Sequence, residues 1–149
     1  MKTIKNKNIF MILSMLTFIF LCRVLAQLMQ YFYPIDSLPA FESWYSGTIS
    51  YPWLFFIQVM ILVLQARILI AINKGIYTFN QKRGKMIYVF GVSYFSFSVL
   101  RLILGSTILN NHQFWGAMIP SIFHVFLSAF FLVLGFYNLN NLKIREEVQ

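Results

Sequence analysis

Charge is what this chain has least of. Only 11% of its 149 residues are Asp, Glu, Lys or Arg, and just 4 of those are acidic, while 59% are hydrophobic. Soluble domains are about a quarter charged and about half apolar. A water-soluble fold of this length keeps too much surface exposed to hide so many apolar side chains. Cysteine is nearly absent. Cys22 stands alone, so neither an intrachain disulfide nor a thiol pair for redox exchange can form. Histidine is scarce too: His112 and His124 would lie about 18 Å apart along one helix, and no three- or four-ligand metal set can be assembled around them. No metal, haem or other cofactor is expected. Acidic residues are missing from every long apolar stretch, which argues against a carboxylate proton relay. Neither a Ser–His–Asp arrangement nor a glycine-rich phosphate loop can be found.

What is present is basic and apolar. The net charge is +8, but the cations punctuate apolar runs and form no continuous face, so nucleic acid is excluded as a partner. Four stretches reach the roughly 20 residues a helix needs to cross the hydrocarbon core, at about 9–30, 51–72, 86–109 and 114–137. They predict an all-α membrane protein, a single domain over 1–149, with four transmembrane helices in an antiparallel up-down-up-down bundle. Pro34 and Pro39 follow the first stretch, Pro52 opens the second, and Gly75 lies just past its end, as helix punctuation should.

Cation placement predicts the orientation. Lys2, Lys5 and Lys7 precede the first stretch, Lys74, Lys82, Arg83 and Lys85 fill the second connection, and Lys143 and Arg145 follow the last. The 33–50 loop and the Asn110–Gln113 turn carry no Lys or Arg. By the positive-inside rule both termini are cytoplasmic, in an inner or plasma membrane, and the 33–50 loop is outside. Trp44, Trp53 and Trp115 gather at that outer boundary, as an interfacial belt does. A secretory signal ending at Val24-Leu25-Ala26 is the rival reading of the N-terminus. The long apolar run and Arg23 speak against it, and Leu21 before Cys22 speaks against a lipoprotein signal.

Three cations lie inside the stretches, where an arginine costs about 2.5–3.5 kcal/mol on insertion scales. Arg67 is near the cytoplasmic end and can snorkel to the headgroups beside Lys74. Arg23 and Arg101 are deeper. Arg23 shares a helical face with Gln27 and Gln30. Tyr51, Gln58 and Gln65 recur every seven residues. Gly91, Tyr94, Ser98, Arg101 and Gly105 alternate at three and four, as do Ala117, Ser121, His124 and Ser128, with Gly135 completing that row. Such spacing marks one seam of a left-handed bundle, where small and polar residues collect in lipid. Arg23, Gln58 and Arg101 each fall about 10 Å below the outer boundary, with Ser121 and His124 close to that layer.

Two guanidiniums in one layer call for an anion. Asp36 or Glu42 could fold in from the outer loop as counter-charges, or an anionic ligand could supply the charge to the arginine forks. The candidate ligand-binding set is therefore Arg23, Gln27, Gln58, Arg101, Ser121 and His124. The leading expectation is a non-enzymatic membrane-complex subunit or homo-oligomer that binds an anionic amphiphile, such as a lipid headgroup, in an outward-facing polar pocket. The alternatives are a component of an anion or small-molecule transporter or channel, and a lipid- or quinone-linked enzyme using His124. The outer loop itself reads as a short amphipathic helix at the headgroups, with Phe41, Trp44 and Tyr45 on one side.

Overall fold

The computed structural model describes residues 2–78, 80–109, 111–112 and 114–146, with side chains described for 7–141 within those ranges. Lys2, Lys5, Lys143 and Arg145, on which part of the orientation rests, have side chains outside that set, as Asn110 and Gln113 lie outside the described residues. Among the described residues the chain is all-helical. It has four long helices, α1 (Lys2–Phe32), α2 (Tyr51–Asn73), α3 (Gln81–Thr107) and α4 (Met118–Glu146), and one turn of 3-10 helix at Phe41–Trp44. Each contains a segment long and apolar enough to cross a membrane: Lys7–Phe32, Tyr51–Asn73, Gln81–Thr107 and Met118–Asn141. This is a multi-pass membrane protein.

The helices end where local chemistry ends them. α1 runs out just before Pro34, which disfavours helical backbone at Tyr33, and the Gln30 side chain turns back to accept a bond from Ile35 N at 3.0 Å. α2 closes on Gly75, whose φ of +69° glycine adopts freely. The Ile76 N–H donates to Ala71 O at 3.0 Å and the Gly75 N–H to Ile72 O at 3.1 Å, a Schellman closure. Asn80 caps α3 by accepting from Arg83 N at 3.2 Å. α4 begins at Met118, four residues later than the apolar stretch predicts. Pro120 thereby falls in its first turn, where the missing N–H leaves no helix bond unmade. The connection before it is longer, and it leaves the Phe114 carbonyl outside the helix.

Consecutive helices run antiparallel, and so do the first and last. Tyr31 near the end of α1 meets Tyr51 at the start of α2, ring centroids 4.5 Å apart. Arg23 lies over the Phe123 ring at 5.4 Å, while Leu13 clusters with Leu134 and Tyr137 at the other end of α4. α3 and α4 pack so closely that a Cβ on Gly91 would sit 2.7 Å from Leu132 N, and one on Gly135 2.5 Å from Tyr88 Cα. Among the described residues, Cα atoms approach within 8 Å between α2 and α1, α1 and α4, and α4 and α3, but not between α2 and α3. The order in space is thus α2–α1–α4–α3, an arc whose two flanking helices stand apart.

Seven-residue spacing runs through the packing. The buried residues of α2 are Tyr51, Gln58, Gln65 and Ile72, each seven from the next. On α3, Gly84, Gly91, Ser98 and Gly105 are buried with the same period, joined by Arg101. Such a period is the one a left-handed supercoil seam uses. At the end that holds the start of α1 and the finish of α4 (the terminal end), Leu13, Ile72, Phe130, Leu134 and Tyr137 form an apolar plug, with Ile87 of α3 against it. There Asn138 also clasps the 74–80 connection. It is fully buried, accepts from Asn80 N at 3.3 Å and donates to the Tyr77 hydroxyl at 3.0 Å.

Candidate anion-binding cleft

The opposite, far end is capped by a loop that is largely exposed but anchored by its aromatic residues. Phe41 packs against Tyr31, Tyr51 and Tyr45 at centroid distances of 5.2, 5.0 and 5.2 Å, which pins the 3-10 turn over α1 and α2. The amphipathic segment predicted there is present as that single turn. Trp44 is not part of an interfacial belt: it is buried, and its Nε1 donates to Pro39 O at 2.9 Å. Trp53 remains exposed on α2.

This cap supplies what the buried arginines need. The Arg23 Nη2 donates to Trp44 O at 3.0 Å, and the Arg101 Nη2 donates to Phe114 O at 2.8 Å. Arg101 also stacks on the Phe114 ring, 4.0 Å from its centroid, a geometry that is worth up to about 2 kcal/mol when desolvated. Each arginine is therefore held by a main-chain carbonyl of one far-end loop and by an aromatic face. Asp36 and Glu42 are exposed, and among the described residues neither forms an ion pair with Arg23 or Arg101. Carbonyls offset only part of a guanidinium's hydrogen-bonding demand. Arg23 and Arg101 are 6% and 4% exposed, and the Nε of each has no partner.

The other polar residues divide into two groups. Gln58 donates from Nε2 to Gln27 Oε1 at 3.1 Å, which stitches α2 to α1, and leaves Gln27 Nε2 and Gln58 Oε1 unpartnered. Ser121 donates from its hydroxyl to Ala117 O, just before the start of its helix. In the second group the Tyr94 hydroxyl and His124 Nδ1 form a 2.5 Å hydrogen bond from α3 to α4. Arg67 is exposed, consistent with a charge reaching the headgroups.

Between α2 and α3 lies a cavity of about 340 Å³. Arg101, Ser98, Tyr94 and His124 form its polar side; Leu54 and Ile57 of α2 face Phe97 of α3 across it, and Tyr45, Ser46, Thr48, Ile49 and Phe114 cover its far end. Of the residues singled out from sequence, Arg101 and His124 line this cleft, whereas Arg23, Gln27, Gln58 and Ser121 do not. Tyr94 and Ser98 belong to it through the seam spacing. A second hollow of about 620 Å³ opens at the far surface between the 39–47 loop and the α3–α4 connection, with Glu42, Asn111 and His112 among its walls. Among the described residues no three His, Cys, Asp or Glu side chains come together in a set that could hold a metal ion.

Compared with known proteins, the chain matches no family model, no curated protein and no solved structure.

Proposed function

We propose that this protein is a non-enzymatic binder of an anionic amphiphile, and that Arg101 receives the headgroup within the membrane. One observation carries the reading. Arg101, nearly fully buried and with an unpartnered Nε, is among the residues that line a cleft that also offers the Tyr94–His124 pair, while the opposing walls are apolar. Its 340 Å³ lies at the small end of ligand-site volumes. A polar floor under apolar walls suits a molecule with one charged end. The bundle is oriented with both termini in the cytoplasm, so the far end and its cleft lie in the outer half of an inner or plasma membrane. Exposed Lys74, Lys82, Arg83 and Lys85 at the terminal end support that orientation. The apolar plug around Phe130 and Leu134 favours a binder over a through-conducting path, because the terminal half of the bundle is filled.

Native mass spectrometry of protein extracted with its lipids tests this. The parent is expected to carry an acidic lipid or amphiphile, Arg101→Gln to lose it, and Arg101→Lys to keep part of it, since a point charge replaces a fork. Arg67→Gln, which removes an exposed arginine, should retain it fully. Equal retention by Arg101→Gln and the parent would overturn the proposal.

A further inference from the structure

Resting on that reading, we infer that the ligand is a single-chain monoanion, a long-chain carboxylate or its like, that reaches Arg101 sideways from the bilayer between α2 and α3.

The charge of the cleft argues for a monoanion. Among its lining residues Arg101 is the single charged side chain. Arg23 donates instead to Trp44 O and is absent from the lining. The Tyr94 hydroxyl and His124 Nδ1 share one hydrogen bond, and a neutral imidazole there adds polar capacity without a second charge. One cation then meets one anion, and a dianion would leave a negative charge uncompensated in a low-dielectric site. Volume argues for a single chain. About 340 Å³ takes a compact headgroup and the beginning of one chain, whereas a two-chain lipid must bring its glycerol backbone and a second chain through the same gap.

Geometry argues for sideways access. The Tyr45–Ile49 segment and Phe114 roof the cleft toward the far surface. On that side α2 and α3 have no Cα pair within 8 Å, so side chains and not packed backbone border the cleft laterally. At that gap Ile57 and Phe97 are 42% and 47% exposed, so the mouth is an apolar slot facing lipid.

The full chain in an uncharged maltoside detergent is melted by intrinsic fluorescence with a series of probes. Oleate should raise the melting temperature saturably, while methyl oleate and acetate should not. Dioleoyl phosphatidylglycerol should bind at least about tenfold more weakly than oleate. Ile57→Trp, which bulks the mouth without touching the polar floor, should weaken oleate by a similar factor and leave the unliganded melting temperature unchanged. Phosphatidylglycerol that binds as well as oleate, or oleate binding indifferent to Ile57→Trp, would overturn the single-chain, sideways inference and leave the amphiphile reading standing. Stabilisation by acetate equal to that by oleate would overturn both, as would the failure of every anionic amphiphile to bind the parent. The probe series uses the parent alone, so it decides the ligand class even if Ile57→Trp fails to fold.

Discussion

The α3–α4 seam and the α1–α2 seam solve one problem by different means. In lipid there is little hydrophobic drive to bring apolar helices together, so contact has to come from close backbone packing or from hydrogen bonds. α3 and α4 rely chiefly on the first means, with the Tyr94–His124 bond beside it: Gly91 and Gly135 let each backbone come against the other helix's main chain. α1 and α2 use the second, through the Gln27–Gln58 bond, and carry the cost of amide groups without partners at Gln27, Gln58 and Gln65. Close packing tolerates no added atom but needs no matching partner. Amide pairing tolerates distance but leaves loose ends. The difference places the rigid half of the molecule at α3–α4 and the half that can stand away, and so border a cleft, at α2.

Breaking the rigid seam should have the largest effect. Gly135→Ala and Gly91→Ala put a methyl group within 2.5–2.7 Å of backbone atoms of the facing helix. The helices must then separate. Overpacking of this kind costs about 1–3 kcal/mol, and it outweighs the roughly 1 kcal/mol that alanine gains over glycine inside a helix. Gly84→Ala is the internal comparison, since its added carbon meets only the Asn138 side chain at 3.1 Å. Unfolding in mixed detergent should show Gly135→Ala and Gly91→Ala clearly destabilised and Gly84→Ala close to the parent. Equal stability of all three would mean that the seam is looser than these contacts require.

The two seams were unequally legible in the sequence. The seven-residue row of Tyr51, Gln58 and Gln65 marked the buried face of α2, and Ile72 completes it. Gly91, Ser98 and Gly105 marked that of α3, to which the structure adds Gly84, just outside the apolar run. Periodicity shows which face is buried but not what covers it. The short connection between the last two apolar stretches makes α3 and α4 neighbours, but the full order α2–α1–α4–α3, and the cleft it leaves, could not be read. The acceptors of Arg23 and Arg101 were hidden for a different reason: they are main-chain carbonyls of Trp44 and Phe114, and a carbonyl has no residue-type signature. Asn138 was missed because the seam on α4 was followed only as far as Gly135. One further three-residue step along the same face would have reached it.

Relieving the amide seam should have a smaller effect of opposite sign. Gln65 is 1% exposed, and both of its amide atoms lack partners. A buried polar group left unsatisfied costs about 1–3 kcal/mol, and a similar apolar side chain removes that cost. Gln65→Leu is expected to raise the unfolding free energy in detergent by an amount in that range. A loss of stability instead would show that the amide is bonded in the membrane, to a lipid or to a second copy of the chain.

The smallest effect is expected for the amide bond itself. Gln27→Leu and Gln58→Leu each leave the other amide with one more unmet group, whereas the double substitution removes the 3.1 Å bond together with the two atoms that already lack partners. The double variant should therefore be no less stable than either single one. The coupling free energy from the complete cycle should be near the average for interhelical hydrogen bonds in membranes, about 0.6 kcal/mol. That is well below the loss expected at Gly135, although each change strikes a single helix pair. Additive singles, with no measurable coupling, would mean that the Gln27–Gln58 contact is incidental and that α2 is held mainly by the Tyr31, Phe41 and Tyr51 rings at the far end and by Ile72 at the terminal one. A coupling as large as the glycine effect would place α2 in the rigid half after all, and the cleft beside it would then be a fixed site, not one that a departing helix can widen.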